Sequence, residues 1–225
     1  MRIGNGICPA SIAAAVAVLA TPAVAQTPRD LLTQASFGDR DKGVALRHVQ
    51  TALAGLGGDG GENALMRATA LGYRAKLTGS RSDLSAARKL FDALVAVQPR
   101  NAEGQLGLGA WHLATINRTG SLLGRVFGAS RGVGNAALDR AVALGGDHAL
   151  FAGLAALLRI NADPSDARGR QLAEQASRAG ATTTLDRIMQ RSANAILVPL
   201  RAGDRRAAAA LAERLLPFGQ IDGVS

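Results

Sequence analysis

The residues able to do chemistry are few, and their spacing does not assemble a reaction centre. Three histidines, His48, His112 and His148, are scattered along the chain. None stands in a His-Glu-x-x-His spacing or a similar one that would put two imidazoles on one helix face for a metal. A hydrolase needs a nucleophile, a base and an orienting acid in one cleft, and the sequence holds no Gly-x-Ser-x-Gly elbow. Asp163 and Asp166 are three apart, as a carboxylate pair can be. A place in the first turn of a helix explains both, because that end carries partial positive charge. The glycine-rich run at 57–61 is followed by Glu62 and Asn63. A phosphate cradle needs a strand before it and usually a Lys with Ser or Thr after it. No enzyme activity, cofactor or metal is therefore expected.

What remains is the chemistry of binding. Trp111 is the only tryptophan. Aromatic side chains lead binding hot spots, although burial between helices is the commoner fate of a lone tryptophan. His112 follows it and is read as packed or groove-lining, while His148, after a Gly-Gly-Asp, is read as an exposed turn residue. Arg118, Arg125 and Arg131 lie in a stretch with no acidic residue between Glu103 and Asp139. Trp111, His112, Arg118, Arg125 and Arg131 are the candidate partner-binding residues. The chain as a whole has 26 Lys and Arg against 17 Asp and Glu, a net charge of +9, and aromatics make up only 3% of it. Such a balance can serve nucleic acid or an anionic membrane surface. With the charge spread out and no Lys/Arg block, a solvated Arg-rich surface is expected and nucleic-acid binding is not.

The elements that must position these residues read as helices. Alanine and leucine, strong helix formers, dominate, and β-branched or aromatic runs are rare. The first 25 residues read as a secretory signal peptide: Arg2, an apolar stretch from Ser11 to Ala20, a break at Thr21-Pro22, and the small-x-small site Ala23-Val24-Ala25. Cleavage before Gln26 leaves residues 26–225 as one domain in the periplasm or outside the cell. Cys8, the only cysteine, falls inside the leader, so no disulfide is available beyond it. No later apolar run reaches the ~20 residues needed to span a bilayer.

Helices are expected over about 28–36, 39–56, 62–78, 82–98, 102–117, 135–144, 149–160, 163–179, from about 182 to Pro199, and from Asp204. Ser82 is a plausible N-cap, and Asp163 is expected to cap a helix with Pro164 in its first turn. On the fourth helix Leu84, Ala87, Phe91 and Leu94 make one apolar stripe, and Leu90, Ala93 and Val97 a second beside it. That predicts a helix packed between neighbours. Ala149 to Ile160 is apolar nearly all round, which predicts burial. Residues 118–134 read as an insertion between helices. In it Leu122, Leu123, Val126 and Phe127 form a short amphipathic turn with Arg125 outward. Pro217 to Ser225 is expected to be a loose tail.

Leu71-Gly72, then Ala87, Phe91 and Pro99, follow in order the pattern of the tetratricopeptide repeat family, which this chain resembles. The next unit offers Leu108-Gly109, then Ala137 and Ala141, with Gly145-Gly146 in place of Pro. The departures are a turn about three residues longer, Leu94 where alanine is usual, and no aromatic early in the first helix. The likeness covers Glu62 to Asp147 best. The Trp111 helix, the loop after it with Leu122-Leu123 and then Phe127-Gly128-Ala129-Ser130, and the next repeat helix also bear a faint likeness to bacterial relatives of the regulators of microtubule dynamics. The resemblance implies an all-α fold of stacked antiparallel helix pairs in a short right-handed solenoid, with a concave face that binds peptides or proteins. The expected function is an exported scaffold for a protein or peptide partner in the cell envelope. The alternative is an accessory component of an envelope transport system that binds a small ligand or a membrane partner.

Overall fold

The computed structural model describes Met1 and residues 26–58 and 60–224, so the leader expected over residues 1–25 lies, Met1 apart, outside the described residues. The regular elements there are all helical, with no strand among the described residues. In chain order they are α1 (Pro28–Thr33), a π turn (Gln34–Gly38), α2 (Lys42–Ala54), α3 (Gly61–Thr78), α4 (Arg81–Val97) and α5 (Ala102–Val126). Then follow α6 (Arg131–Leu144), α7 (Ala149–Ala162), α8 (Ala167–Arg178), α9 (Thr184–Arg201) and α10 (Arg205–Leu215).

Most of these helices start where a short polar side chain can accept a first-turn N–H that has no partner within the helix. Thr27, Asp41, Ser80, Asn101, Ser130, Asp166, Thr183 and Asp204 all do so. Two expected caps move. Ser80, not Ser82, caps α4, and the two hydroxyls lie 3.0 Å apart. Asp166, not Asp163, caps α8, while Asp163 accepts from the backbone N–H and hydroxyl of Ser165 in the turn before it. Pro199 neither ends nor replaces the last turn of α9, which continues through it to Arg201.

Adjacent helices pack against each other, and α3, α5, α7 and α9 also pack in series. The core divides into two clusters. One joins α1 to α4 with Leu108, Trp111 and Ile116 of α5. The other joins α6 to α10 with Leu106 and Leu113 of the same helix. α5 is therefore the shared wall, and α7 is the hub of the second cluster, packing on α5, α6, α8, α9 and α10. Every α7 residue from Phe151 to Ile160 except Leu154 is buried. Gly153 admits α9: a methyl group there would meet the Met189 Cβ at 2.7 Å. Arg159, the one charge of α7, is buried and holds Asp139 at 2.7 Å and Asp166 at 3.3 Å.

The paired glycines differ. At Gly109 a side chain would run into Leu138 at 2.7 Å, so the α5–α6 approach requires glycine. At Gly72 the nearest atom would be the Ala87 Cβ at 3.9 Å, an ordinary contact, so close approach does not demand glycine there. The second stripe of α4 is packed only at Leu90, which is partly buried against the core; Ala93 and Val97 face solvent, while Ala87, Phe91 and Leu94 of the first stripe are buried. Residues 118–134 are largely helical. The chain breaks at Gly120, whose φ of 77° lies in the left-handed region, re-enters a helix to Val126 as expected of the amphipathic turn there, and α6 begins at Arg131. Gly120 lets the chain turn between the two helical stretches merged in α5.

The tail is not loose. Phe218 is fully buried and stands edge-on to the Tyr73 ring, with centroids 4.9 Å apart. Its N–H donates to the Ser36 carbonyl at 2.7 Å. Gln220 Nε2 donates to the carbonyls of Ser36 and Asp39, and Lys76 Nζ to that of Pro217. The π turn exposes the Ser36 carbonyl to the tail, so the two ends of the described chain are joined. Removing a buried ring leaves a cavity, and Phe→Ala changes cost about 3–5 kcal/mol. Phe218→Ala is expected to lower the urea midpoint of unfolding. An unchanged midpoint would show that the tail contributes nothing to the fold.

Candidate functional site

α3, α5 and α7 present matched faces to a groove. From α3 come Leu65, Thr69, Tyr73 and Lys76, from α5 Glu103, Ala110, Ala114 and Asn117, and from α7 Leu150, Leu154 and Leu158. These positions recur at three- to four-residue steps, the spacing of one helix face. The hollow they enclose is about 960 Å³, within the range of ligand sites. α1, the π turn and the end of α10 close its sides through Leu32, Phe37, Leu216 and Pro217. A second hollow of about 1230 Å³ shares Phe37, Leu65, Glu103 and Leu150 with the first and continues toward α9 and His148.

The groove floor is apolar, and its ends are charged. At the α9 end Arg29 binds Glu103 at 2.9 Å and Glu62 at 3.2 Å, closing a triad of α1, α3 and α5. At the tail end Lys76 is half-buried. Burial, with the Arg118 guanidinium nearby, pulls its ammonium down to about 8, although Glu213 opposes the shift. Arg118 donates to the Lys76 carbonyl at 3.1 Å and is exposed. Between them the buried Asn117 Nδ2 finds no hydrogen-bond partner among the described residues. Buried donors are nearly always satisfied, so this one is an exception among the described residues.

The five candidate residues do not converge on one point. Trp111 is 6% exposed; it touches the groove but is held in the wall, its indole N–H donating to the Leu84 carbonyl at 2.9 Å. Arg88 lies over its ring at 5.3 Å and donates to the Phe127 carbonyl, fastening the end of α5 to α4. His112 is buried on the other side of the wall. Burial and the Arg88 charge push its imidazole below the usual value, and Nδ1 accepts from the Ser130 N–H at 3.2 Å. It therefore serves the start of α6 rather than the groove. Arg118 and Arg131 edge the groove, and Arg125 points to solvent away from it.

Two partners escaped the sequence. His148 is exposed in the turn before α7, as expected, but it is also engaged: its Nδ1 lies 3.0 Å from Asp186 Oδ2, which is 1% exposed. Asp186 also accepts from the Leu150 N–H and from Thr183, so one carboxylate joins the starts of α7 and α9. A parallel bridge between His148 and Gly180 accompanies it. The other is Lys76, whose only sequence signal is a cation on the small-residue face of α3, in step with Thr69 and Tyr73.

No protein-family model, curated protein or solved structure matches the chain.

Burial alone would raise the Asp186 carboxyl, but the bonds from His148, Leu150 and Thr183 outweigh it and hold the group down at about 2. The unfolded group titrates near ~3.9, so the carboxylate's contribution, on the order of 2 kcal/mol, is complete above about pH 4 and is lost as pH falls toward 2. Asp186→Asn is expected to melt earlier than the parent at pH 7, with the gap shrinking below about pH 4. A gap that stayed constant with pH would refute the assignment.

Proposed function

We propose that the chain is an exported tetratricopeptide-like scaffold of the cell envelope that holds a peptide or protein segment in its groove. Five successive helix pairs support the repeat reading, α1 with α2 through α9 with α10, because the first helix of every pair lines the hollows. The leader-like residues at the N-terminus support export. The observation that carries the binding role is the groove itself: an apolar floor of three helix faces with two cations at its tail end, Arg118 and the Lys76 ammonium, which spends one N–H on the Pro217 carbonyl. A peptide offers apolar side chains for the floor and a carboxylate for the cations. A bound carboxylate would also favour the charged form of Lys76, so affinity is expected to fall as pH rises through about 8. A second reading, an accessory part of an envelope transport system with a small ligand or a membrane partner, draws on a different observation, the exposed apolar side chains at the end of α5.

Ala114 is exposed in the groove wall, and Val97 is exposed on the opposite side of the helix pair at the end of α4. A photo-crosslinking residue at Ala114 is expected to capture a discrete envelope protein that the same residue at Val97 does not. Ala114→Trp should fill the groove and abolish capture of that protein by an affinity-tagged chain. Equal labelling from both positions, or none from Ala114, would overturn the groove as the binding site.

A further inference from the structure

Beyond Gly120 the helical chain is built the wrong way round for a soluble surface. Its inward residue is Gly124, where a methyl group would lie 3.1 Å from Ile116 Cγ1. Its outward residues are large and apolar: Leu122 is 77% exposed, Leu123 59% and Val126 80%. Across the turn Val133, in the first turn of α6, adds another at 48%. These four stand within a dozen residues, whereas the other exposed large hydrophobics, Met1, Val97 and Val198, are isolated. A soluble helix turns its apolar face to the core. Here glycine takes the contact with the protein and leucine faces away.

The rim is mainly cationic. Arg125 and Arg131 are exposed and make no ion pair among the described residues, and Arg81, also unpaired there, lies 5.9 Å over the half-buried Phe127 ring. With Arg118 they edge the patch, and the sequence between Glu103 and Asp139 holds no carboxylate, although the Asp163 carboxylate feels the Arg131 charge from across the fold. We propose that the Leu122–Val133 patch docks the protein onto an anionic bilayer surface, with the apolar side chains at the acyl boundary and the arginines among the lipid phosphates. No helix of the described residues is long and apolar enough to cross a membrane, so the contact is one of shallow seating. A second copy of the chain fits worse, because its rim would set arginine against arginine. Apolar insertion plus cationic attraction suits an anionic bilayer. Leu123, Val126 and Arg131 also edge the groove, so docking would turn its mouth toward the membrane. This inference is independent of what the groove holds.

Leu122 and Arg125 lie outside the groove and test it separately. The probes are vesicles of phosphatidylcholine alone and of phosphatidylcholine mixed with phosphatidylglycerol, floated with the purified full chain. The parent chain should float with the anionic vesicles, less at high salt, and much less with the neutral ones. The double variant L122S/R125A, at exposed positions where its helical circular dichroism and melting should match the parent, is expected to bind the anionic vesicles on the order of tenfold more weakly. Ala114→Trp should float as the parent does, which separates this inference from the groove. Equal flotation with both vesicle types, no flotation, or equal flotation of parent and double variant would each overturn the proposal. So would a parent dimer in light scattering that the double variant dissolves, since that would make a second copy the occupant.

Discussion

α7 has almost no face for water, and the structure is organised around hiding it. A helix whose residues are alanine, leucine, phenylalanine and glycine must be enclosed by its neighbours, and five of them do so. Its single charge makes the enclosure specific. A buried guanidinium left unpaired is costly, so Arg159 requires Asp139 from α6 and Asp166 from the cap of α8 in fixed places. Gly153 then decides how near α9 can come. Apolar burial supplies the drive to enclose α7, while one ion-pair cluster and one missing side chain set the geometry.

The groove is the reverse side of the same arrangement. α7 is buried except at Leu150 and Leu154, which face the groove, and at its last two residues, Asn161 and Ala162. α3 and α5 flank that strip with several small or short polar residues, Thr69, Gly72, Gly107, Ala110 and Ala114, among the larger Leu65, Tyr73 and Lys76, which leaves room for the hollow. The π turn puts Phe37 on one side, and the tail puts Pro217 on the other. The walls are thus made by elements from both ends of the chain.

Much of this was legible in the residues. Helix periodicity and helix-ending glycines located most elements, and the apolar run of 149–160 foretold the buried helix. Local cues misled where two candidates stood close together. Ser80 and Ser82 both precede α4, and Asp163 and Asp166 both precede α8; which one caps depends on where the chain enters, which tertiary packing decides. The second stripe of α4 looked like a packing face because periodicity reports a face without saying whether anything lies against it. Nothing local announced the Phe218–Tyr73 contact, the Asp186 link or the role of Lys76, since each joins residues far apart in sequence. Of the five candidate residues, Trp111 and His112 proved to be wall and cap, and only the arginines face outward. For the groove, the readable sign was a polar residue in step with an apolar face.

The seam between tail and π turn has a bearing on the order of events in folding. Gln220 and Ser36 are hydrogen-bonded although 184 residues separate them. Neighbouring helices can pair as soon as each has been made, because short loops close at little entropic cost. The seam must wait until residues 217–220 have been made. A chain that is still short of them therefore consists of locally paired helices with Ser36, Tyr73 and Lys76 uncovered by the tail. Closure follows the synthesis of that segment, and the groove acquires its Pro217 wall only then.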